Sequence, residues 1–282
     1  MRSIPADFDP HAVAAIDGRL DEIRRDQHVA MPLVIESGSR AWGFPSPDSD
    51  YDCRFLFVRR EDEYLSPWPR RDVIETPLTG ELDVNGWDLG KALKLMLKGN
   101  AVVLEWLMSP VAYAVDPVFR DALLALARSH VSPPRIARHY LHLGERQRQV
   151  YLSDGGNVSL KKIFYSLRPA AALRWLRVHP DETIAPMHFP TLMLECEPPK
   201  EVQAITAELI ARKAVTRELG SAPLPEPIEA FILAEFEIAH ETLPERSPLI
   251  VEEARRAAET LFRTWVRRLA STSTGQDAKR PA

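Results

Sequence analysis

The residues best suited to chemistry are two carboxylates, Asp50 and Asp52, in the string Asp48-Ser49-Asp50-Tyr51-Asp52. They open residues 51–58, where β-branched and aromatic side chains are dense enough to predict a strand. On a strand, positions two apart point to the same face. Two carboxylates so placed repel each other and call for a cation between them. An oxygen-only pair suits a hard divalent ion, Mg²⁺ (or Mn²⁺), which keeps coordination positions open for substrate phosphates. Two such ions clamp the attacking and leaving oxygens of an in-line displacement at phosphorus. Upstream, Glu36-Ser37-Gly38-Ser39 is a turn of small residues. Gly38 permits close backbone approach and Ser39 adds a hydroxyl. A Gly-Ser turn that opens a helix makes a cradle for phosphate oxygens.

The elements that must hold these residues follow from periodicity. Pro32 introduces the apolar run Leu33-Val34-Ile35, a buried strand that leads into the turn. Residues 81–87, with Leu82 and Val84 alternating against Asp83 and Asn85, predict a third strand. Helices are expected over 10–27, 88–98, 102–108, 117–129, 133–153, 158–178, 198–218, 226–243 and 248–270. Pro169 kinks its helix or begins a new one. Strands therefore lie early and helices late. That predicts an α/β N-terminal domain over 1–112, an all-α C-terminal domain over 113–270, and a disordered tail over 271–282.

The strings ESGSRAWGF and DSDYD resemble the signature of the DNA-polymerase-β nucleotidyltransferase superfamily, a Gly-Ser followed by Asp-x-Asp on the next strand. The fuller text resembles one branch, the RNA-ligase-associated (RlaP-type) nucleotidyltransferases. DVNGWDLGKALKLMLKGNAVVLEWL and KKIFYSLRPAAALRWL extend that similarity over roughly residues 30 to 215. The resemblance implies a polymerase-β-like domain followed by a helical domain, with the active site between them. It implies transfer of a nucleoside monophosphate from an NTP, with ATP the expected donor, to an acceptor hydroxyl, with release of pyrophosphate. An RNA end is the acceptor suggested by the family's association with RNA ligases. A protein or small-molecule acceptor, or a regulatory nucleotide-binding module without turnover, are the alternatives.

The family pattern also carries a third carboxylate on a later strand. Asp83 fits it, whereas Asp88 reads as the N-cap of the following helix. Asp50, Asp52 and Asp83 are thus the expected metal ligands, with Asp83 also the candidate base. Gly38 and Ser39 would hold the triphosphate, and Arg40 either contacts phosphate or is a surface arginine. On the helix from 158, Lys161, Tyr165 and Arg168 lie at i, i+4 and i+7, off the apolar stripe of Leu160, Ile163, Phe164 and Leu167. Superfamily members often grip the incoming triphosphate from such a helix. Trp42 and Phe44 read as core, Glu36 as metal-supporting or capping. Asn100 and Glu105 read as capping residues. Where the family tends to have Asn-Pro, this chain has Asn100-Ala101, a matter of turn geometry.

Composition narrows the field. The net charge of -4 removes a global basic field for nucleic acid but leaves room for a local patch. Two cysteines in unrelated contexts and an N-terminus without an apolar stretch point to a cytoplasmic protein. No apolar run is long enough to span a bilayer. P-loop and nucleophile-elbow motifs do not occur, and aromatic and basic residues do not interleave as in RNA-recognition motifs. His139 and His142, three apart on a helix, could bind a metal. No third ligand is evident, so they read as helix surface.

Overall fold

The computed structural model describes residues 1–152, 157–217, 219–245 and 250–277, with side chains as far as Leu269. The strands are β1 Ala30–Glu36, β2 Tyr51–Val58, β3 Val73–Glu75, β4 Leu82–Asp88, β5 Ala112–Val115, β6 Asn157–Ser159 and β7 Ser221–Pro223. The first five form one mixed sheet in the order β3-β4-β2-β1-β5, and β6 and β7 form a two-stranded ribbon. Within the larger sheet β2 is antiparallel to β1 and parallel to β4.

Helices α1 Pro10–Gln27, α2 Gly38–Trp42, α3 Glu61–Tyr64, α4 Leu89–Leu97 and α5 Ala101–Leu107 are interleaved with this sheet. They are followed by α6 Pro117–His130, α7 Pro133–Tyr151, α8 Leu160–Val178, α9 Phe189–Glu195, α10 Lys200–Val215, α11 Glu226–Thr242 and α12 Glu252–Asp277.

Strand alternation explains how one sheet serves two cores. Tyr51, Cys53, Phe55 and Phe57 of β2 pack with Ile16, Leu20 and Ile23 of α1. Leu56 and Val58 point the other way, into the larger core shared with the helices. By the same period, Asp52 and Arg54 of β2 belong to the helix-facing side. In β4, Val84 faces α1 and Trp87 packs against the larger core, which places Asp83 on the helix-facing side too. β1 is apolar on both faces, with Val34 toward α1 and Leu33 and Ile35 toward the helices, hence its unbroken hydrophobic run.

The helical half is organised around α8, which packs against α7, α9 and α11. The last helix, α12, packs on α6, where Trp265 meets Phe119 edge-on at 4.9 Å, and on α3 of the first half, where Phe262 meets Tyr64 at 5.0 Å.

Three features extend the sequence reading. α12 runs on to Asp277, into the segment expected as a tail; residues 278–282 lie outside the described part. Pro169 does not begin a new helix: α8 runs through it, with the proline buried against Gly144 of α7. β3 and β5, of three and four residues, are strands that the alternation rule did not reveal, because so short a run shows little more than one period. Among the described residues no helix is long and apolar enough to cross a membrane, and both cysteines are free and buried.

Candidate active site

The site lies where β1 ends, α2 turns, and β2 and β4 begin. β2 and β4 run parallel in a register that pairs Asp52 with Asp83. Between the two carboxylates lies a residue the motif reading passed over, Arg54. Its Nη2 donates to Asp52 Oδ1 at 2.9 Å and to Asp83 Oδ2 at 2.7 Å. Nη1 donates to the Asp83 carbonyl at 2.8 Å, and Asn85 donates to the other Asp83 oxygen. Asp50 precedes the strand and is exposed. Asp88 is elsewhere: it caps α4 by accepting from the Gly90 N–H at 2.7 Å and from Tyr64 Oη at 2.6 Å. Asp83, not Asp88, shares the face of Asp52.

Burial, and then the neighbouring Asp83 and Asp50, raise the Asp52 carboxyl above the usual range, with Arg54 opposing them. Glu36, at the end of β1, is fully buried directly behind it. Its Oε1 accepts from the Asp52 N–H at 2.7 Å and its Oε2 from Tyr113 Oη at 2.6 Å. Burial pushes the Glu36 carboxyl up to about 8 despite those two donors. Its folded pKa therefore lies above its unfolded one, so the contribution of this group to stability is greatest at low pH. It falls as pH rises from about 4.5 toward about 8. Glu36→Gln, whose amide oxygen can still accept from the Asp52 N–H while its NH₂ donates to Tyr113 Oη, should flatten that decline and raise the melting temperature at pH 9 by several degrees. Thermal melts from pH 4 to 9 check it; an unchanged slope would show that Glu36 is ionised in the fold.

Gly38 is required on two counts. Its φ is +59°, in the left-handed region. A Cβ there would stand 1.9 Å from Asp52 Oδ2. The turn and the carboxylate are therefore in van der Waals contact. We expect Gly38→Ala to cost about 1–2 kcal/mol for the backbone conformation alone. It should also displace the Asp52 side chain, so that activity falls further than stability; a chemical melt beside a rate measurement separates the two. The following residues make α2, and the first N–H groups of a helix have no intrahelical acceptor. Gly38, at the start of α2, lies against the Asp52 side chain, and Ser39 follows it in the first turn.

Arg40 is tied to the segment that leads into β2. Its guanidinium donates to the carbonyls of Ser49 at 2.7 Å and Asp50 at 3.2 Å, and lies 3.8 Å over the Tyr51 ring. It pins the turn that carries Asp50.

The opposite wall comes from the helical half. Lys161 Nζ approaches Asp48 Oδ2 at 3.4 Å. Tyr165 stands edge-on to Trp42 at 6.4 Å, and after burial and Tyr151 it senses the charges of Asp52 and Asp50, which raise its pKa. Arg168 lies 4.2 Å over Trp42 but is only 6% exposed, its Nη1 held 2.5 Å from Glu105 Oε1. So Lys161, Tyr165 and Arg168 do face the first half together, but Arg168 is engaged inside the protein. Glu105, read as a capping residue, is instead the partner of Arg168 and accepts from Tyr140 Oη at 3.0 Å. Asn100 does cap α5, accepting from the Val103 N–H. Phe44 is core, stacked on Phe164 at 4.6 Å.

Lys213 of α10 was not singled out by any motif. It is 5% exposed, donates to the Phe44 carbonyl at 2.6 Å, and burial together with Lys161 lowers its pKa to about 8. Continuing the two-residue period from Asp52 would have found Arg54. Nothing local marks Lys213, whose partner is 169 positions away.

Among the described residues no three His, Cys, Asp or Glu side chains form a ready-made metal cage. The donor set nonetheless suits Mg²⁺ or Mn²⁺, because such ions take one or two carboxylates and complete their shell with water and substrate phosphate. In the protein alone the Arg54 guanidinium supplies the positive charge that Asp52 and Asp83 require.

The protein described as uncharacterized protein YcgL of Bacillus subtilis (strain 168) is 38% identical over 253 residues, covering 87% of this chain and 96% of its own length. Residues 13–264, which take in the cradle, the carboxylates and both walls, match the RNA repair pathway DNA polymerase beta family, RlaP, and the chain belongs to that family.

Proposed function

We propose that this protein transfers a nucleoside monophosphate from an NTP, with ATP the expected donor, to an acceptor hydroxyl on an RNA end. The observation that carries the reading is the contact between Gly38 and Asp52: the turn suited to phosphate and the carboxylates suited to a metal are one site, too close for even a methyl group between them. The family's description adds the RNA repair setting and the polymerase-β type of chemistry.

In this reading Asp50 and Asp52 hold the metal ion, Mg²⁺ or Mn²⁺, with Asp83 at its side. Bound there, the ion would supply charge neutralisation for the phosphates and an acidified acceptor hydroxyl. The chain's own groups do the rest. Gly38 and Ser39 direct N–H groups at the donor's phosphates. Asp83, oriented by Arg54 and Asn85, takes the proton of the acceptor hydroxyl. Arg40 fixes the Asp50 turn. Lys161 and Tyr165 close the cleft over the donor from α8, and Arg168 works through Trp42 and Glu105. Because a charge-assisted phosphate contact contributes roughly 1.5–3 kcal/mol, Lys161→Ala should raise the Michaelis constant for NTP about tenfold or more. Steady-state kinetics against NTP concentration read that out; an unchanged constant would turn this face away from the donor.

One observation favours a rival, a nucleotide-binding module without turnover: Arg54 already neutralises Asp52 and Asp83. Incubation with each α-³²P-labelled NTP, Mg²⁺ and short RNAs decides between them. Label joined to RNA with release of pyrophosphate supports transfer. Label transferred to the protein itself or to a small molecule keeps the chemistry and changes the acceptor. Metal-dependent NTP binding with no product in any of these assays supports the rival.

A further inference from the structure

Two neighbouring carboxylates need a cation, and this chain carries its own. Asp52 and Asp83 are paired in register on β2 and β4, which run parallel. Arg54 lies two residues beyond Asp52, on the same face of β2. Its guanidinium makes contacts of two kinds. Nη1 donates to the Cys53 carbonyl at 3.1 Å and to the Asp83 carbonyl at 2.8 Å. Nη2 donates to Asp52 Oδ1 at 2.9 Å and to Asp83 Oδ2 at 2.7 Å. The carbonyls orient the fork, and the carboxylates neutralise it.

The carboxylate oxygens are divided as well. Asp83 is engaged on both sides, Oδ2 by Arg54 and Oδ1 by Asn85 Nδ2. Asp52 gives Oδ1 to Arg54, whereas its Oδ2 lies against Gly38. The guanidinium thus fills the space between the two carboxylates, with its side chain 17% exposed. The two strands are already tied by their backbone ladder and by the Nη1 contacts, neither of which asks anything of the carboxylates. The Nη2 contacts satisfy the charge that Mg²⁺ or Mn²⁺ would otherwise satisfy.

We infer that Arg54 is a resident counter-cation that competes with the divalent ion for Asp52 and Asp83, so that ion binding and release of the Nη2 contacts are one event. This rests on the reading of these carboxylates as the metal side of a transfer site. Arg54 then holds the ion affinity down and keeps Asp83 Oδ2 occupied in the metal-free protein.

Titration with Mn²⁺ in the absence of nucleotide, the free ion being read by electron paramagnetic resonance, tests this without any turnover. Arg54→Met and Arg54→Gln both remove the charge, and Gln keeps an N–H donor for the carbonyls should the Met variant fold poorly. Each should lower the Mn²⁺ dissociation constant about tenfold or more, the equivalent of one charge-assisted contact that no longer has to be broken. Arg54→Lys keeps the charge and should bind Mn²⁺ about as the parent does. In chelator, Arg54→Gln should melt below the parent, because its carboxylates then repel each other unopposed, and saturating Mn²⁺ should raise its melting temperature by more than it raises the parent's. Asp52→Asn locates the ion. Binding that Asp52→Asn abolishes, and that tightens in Arg54→Met and Arg54→Gln but not in Arg54→Lys, establishes the competition. Asp52-dependent binding that is unchanged or weaker in the Met and Gln variants, or equally tightened in Arg54→Lys, overturns the role of Arg54 and leaves the transfer reading standing. Absence of Asp52-dependent binding from parent and variants alike overturns the inference together with the metal-holding role of the carboxylates. Competition in a protein that yields no labelled product removes the transfer reading alone.

Discussion

Asp50→Asn and Asp52→Asn should each lower nucleotide transfer by about a thousand-fold or more while leaving the fold intact. The metal that these carboxylates would hold contributes several kcal/mol of charge stabilisation in the transition state, and each 1.36 kcal/mol is about tenfold in rate. An amide keeps the shape of the side chain but removes the negative charge that binds the ion. Neither residue is part of a core: Asp50 is exposed, and the Asp52 side chain is 26% exposed. In Asp52→Asn, Arg54 retains Asp83 as its partner. Because burial and the neighbouring carboxylates already disfavour the charged form of Asp52, the melting temperature without metal should stay level or rise. Single-turnover rates with Mg²⁺, beside thermal melts in chelator, measure both effects. Near-normal turnover in either variant would remove the pair from the reaction. Asp83→Asn should also cripple transfer. Asp88→Asn should mainly cost about 1 kcal/mol as a weakened helix cap; the reverse pattern would exchange their roles.

The second large effect is on stability. Glu105→Leu and Arg168→Met should each destabilise the protein by about 3–5 kcal/mol, since either change strands a buried charge. Glu105 and Arg168 are 4% and 6% exposed, and Tyr140 donates to the same Glu105 oxygen that pairs with Arg168. The double variant Glu105→Leu/Arg168→Met should recover most of the loss, because an apolar pair of similar volume avoids the desolvation that the ion pair must overcome. Urea denaturation midpoints of the three variants decide the matter. Single variants within about 1 kcal/mol of the parent would mean that water reaches the pair. Arg168 also stacks over Trp42, the last residue of α2. The double variant should therefore show weaker NTP binding even where its stability is restored.

Much of this was legible before any coordinates. Strand β2 matches residues 51–58, whose dense β-branched and aromatic side chains mark it out from its neighbours. Asp88 at the N-cap of α4 follows from its place before an apolar helical stripe. The cradle and the Asp50-Tyr51-Asp52 string were readable because their residues are near in sequence and each has a local geometry that only a few residue types satisfy. Gly38, with its positive φ, is the clearest such case.

What only the tertiary structure decided involves partners far apart in the chain. Arg54 stands two residues from Asp52, yet its role depends on β4 lying parallel beside β2, 29 positions on. The buried Glu36 waits on Tyr113, 77 positions away, and Arg168 on Glu105, 63 away. Arg168 read as a phosphate ligand because its helical face is polar in sequence. The fold buries the Arg168 end of that face against Glu105 of α5 and Trp42 and turns an expected surface cation into an internal ion pair. Periodicity reports which side of an element is apolar, but it carries no information about which other element covers the polar side. That choice is made by packing, and with it the charge, protonation and accessibility of every group in the site.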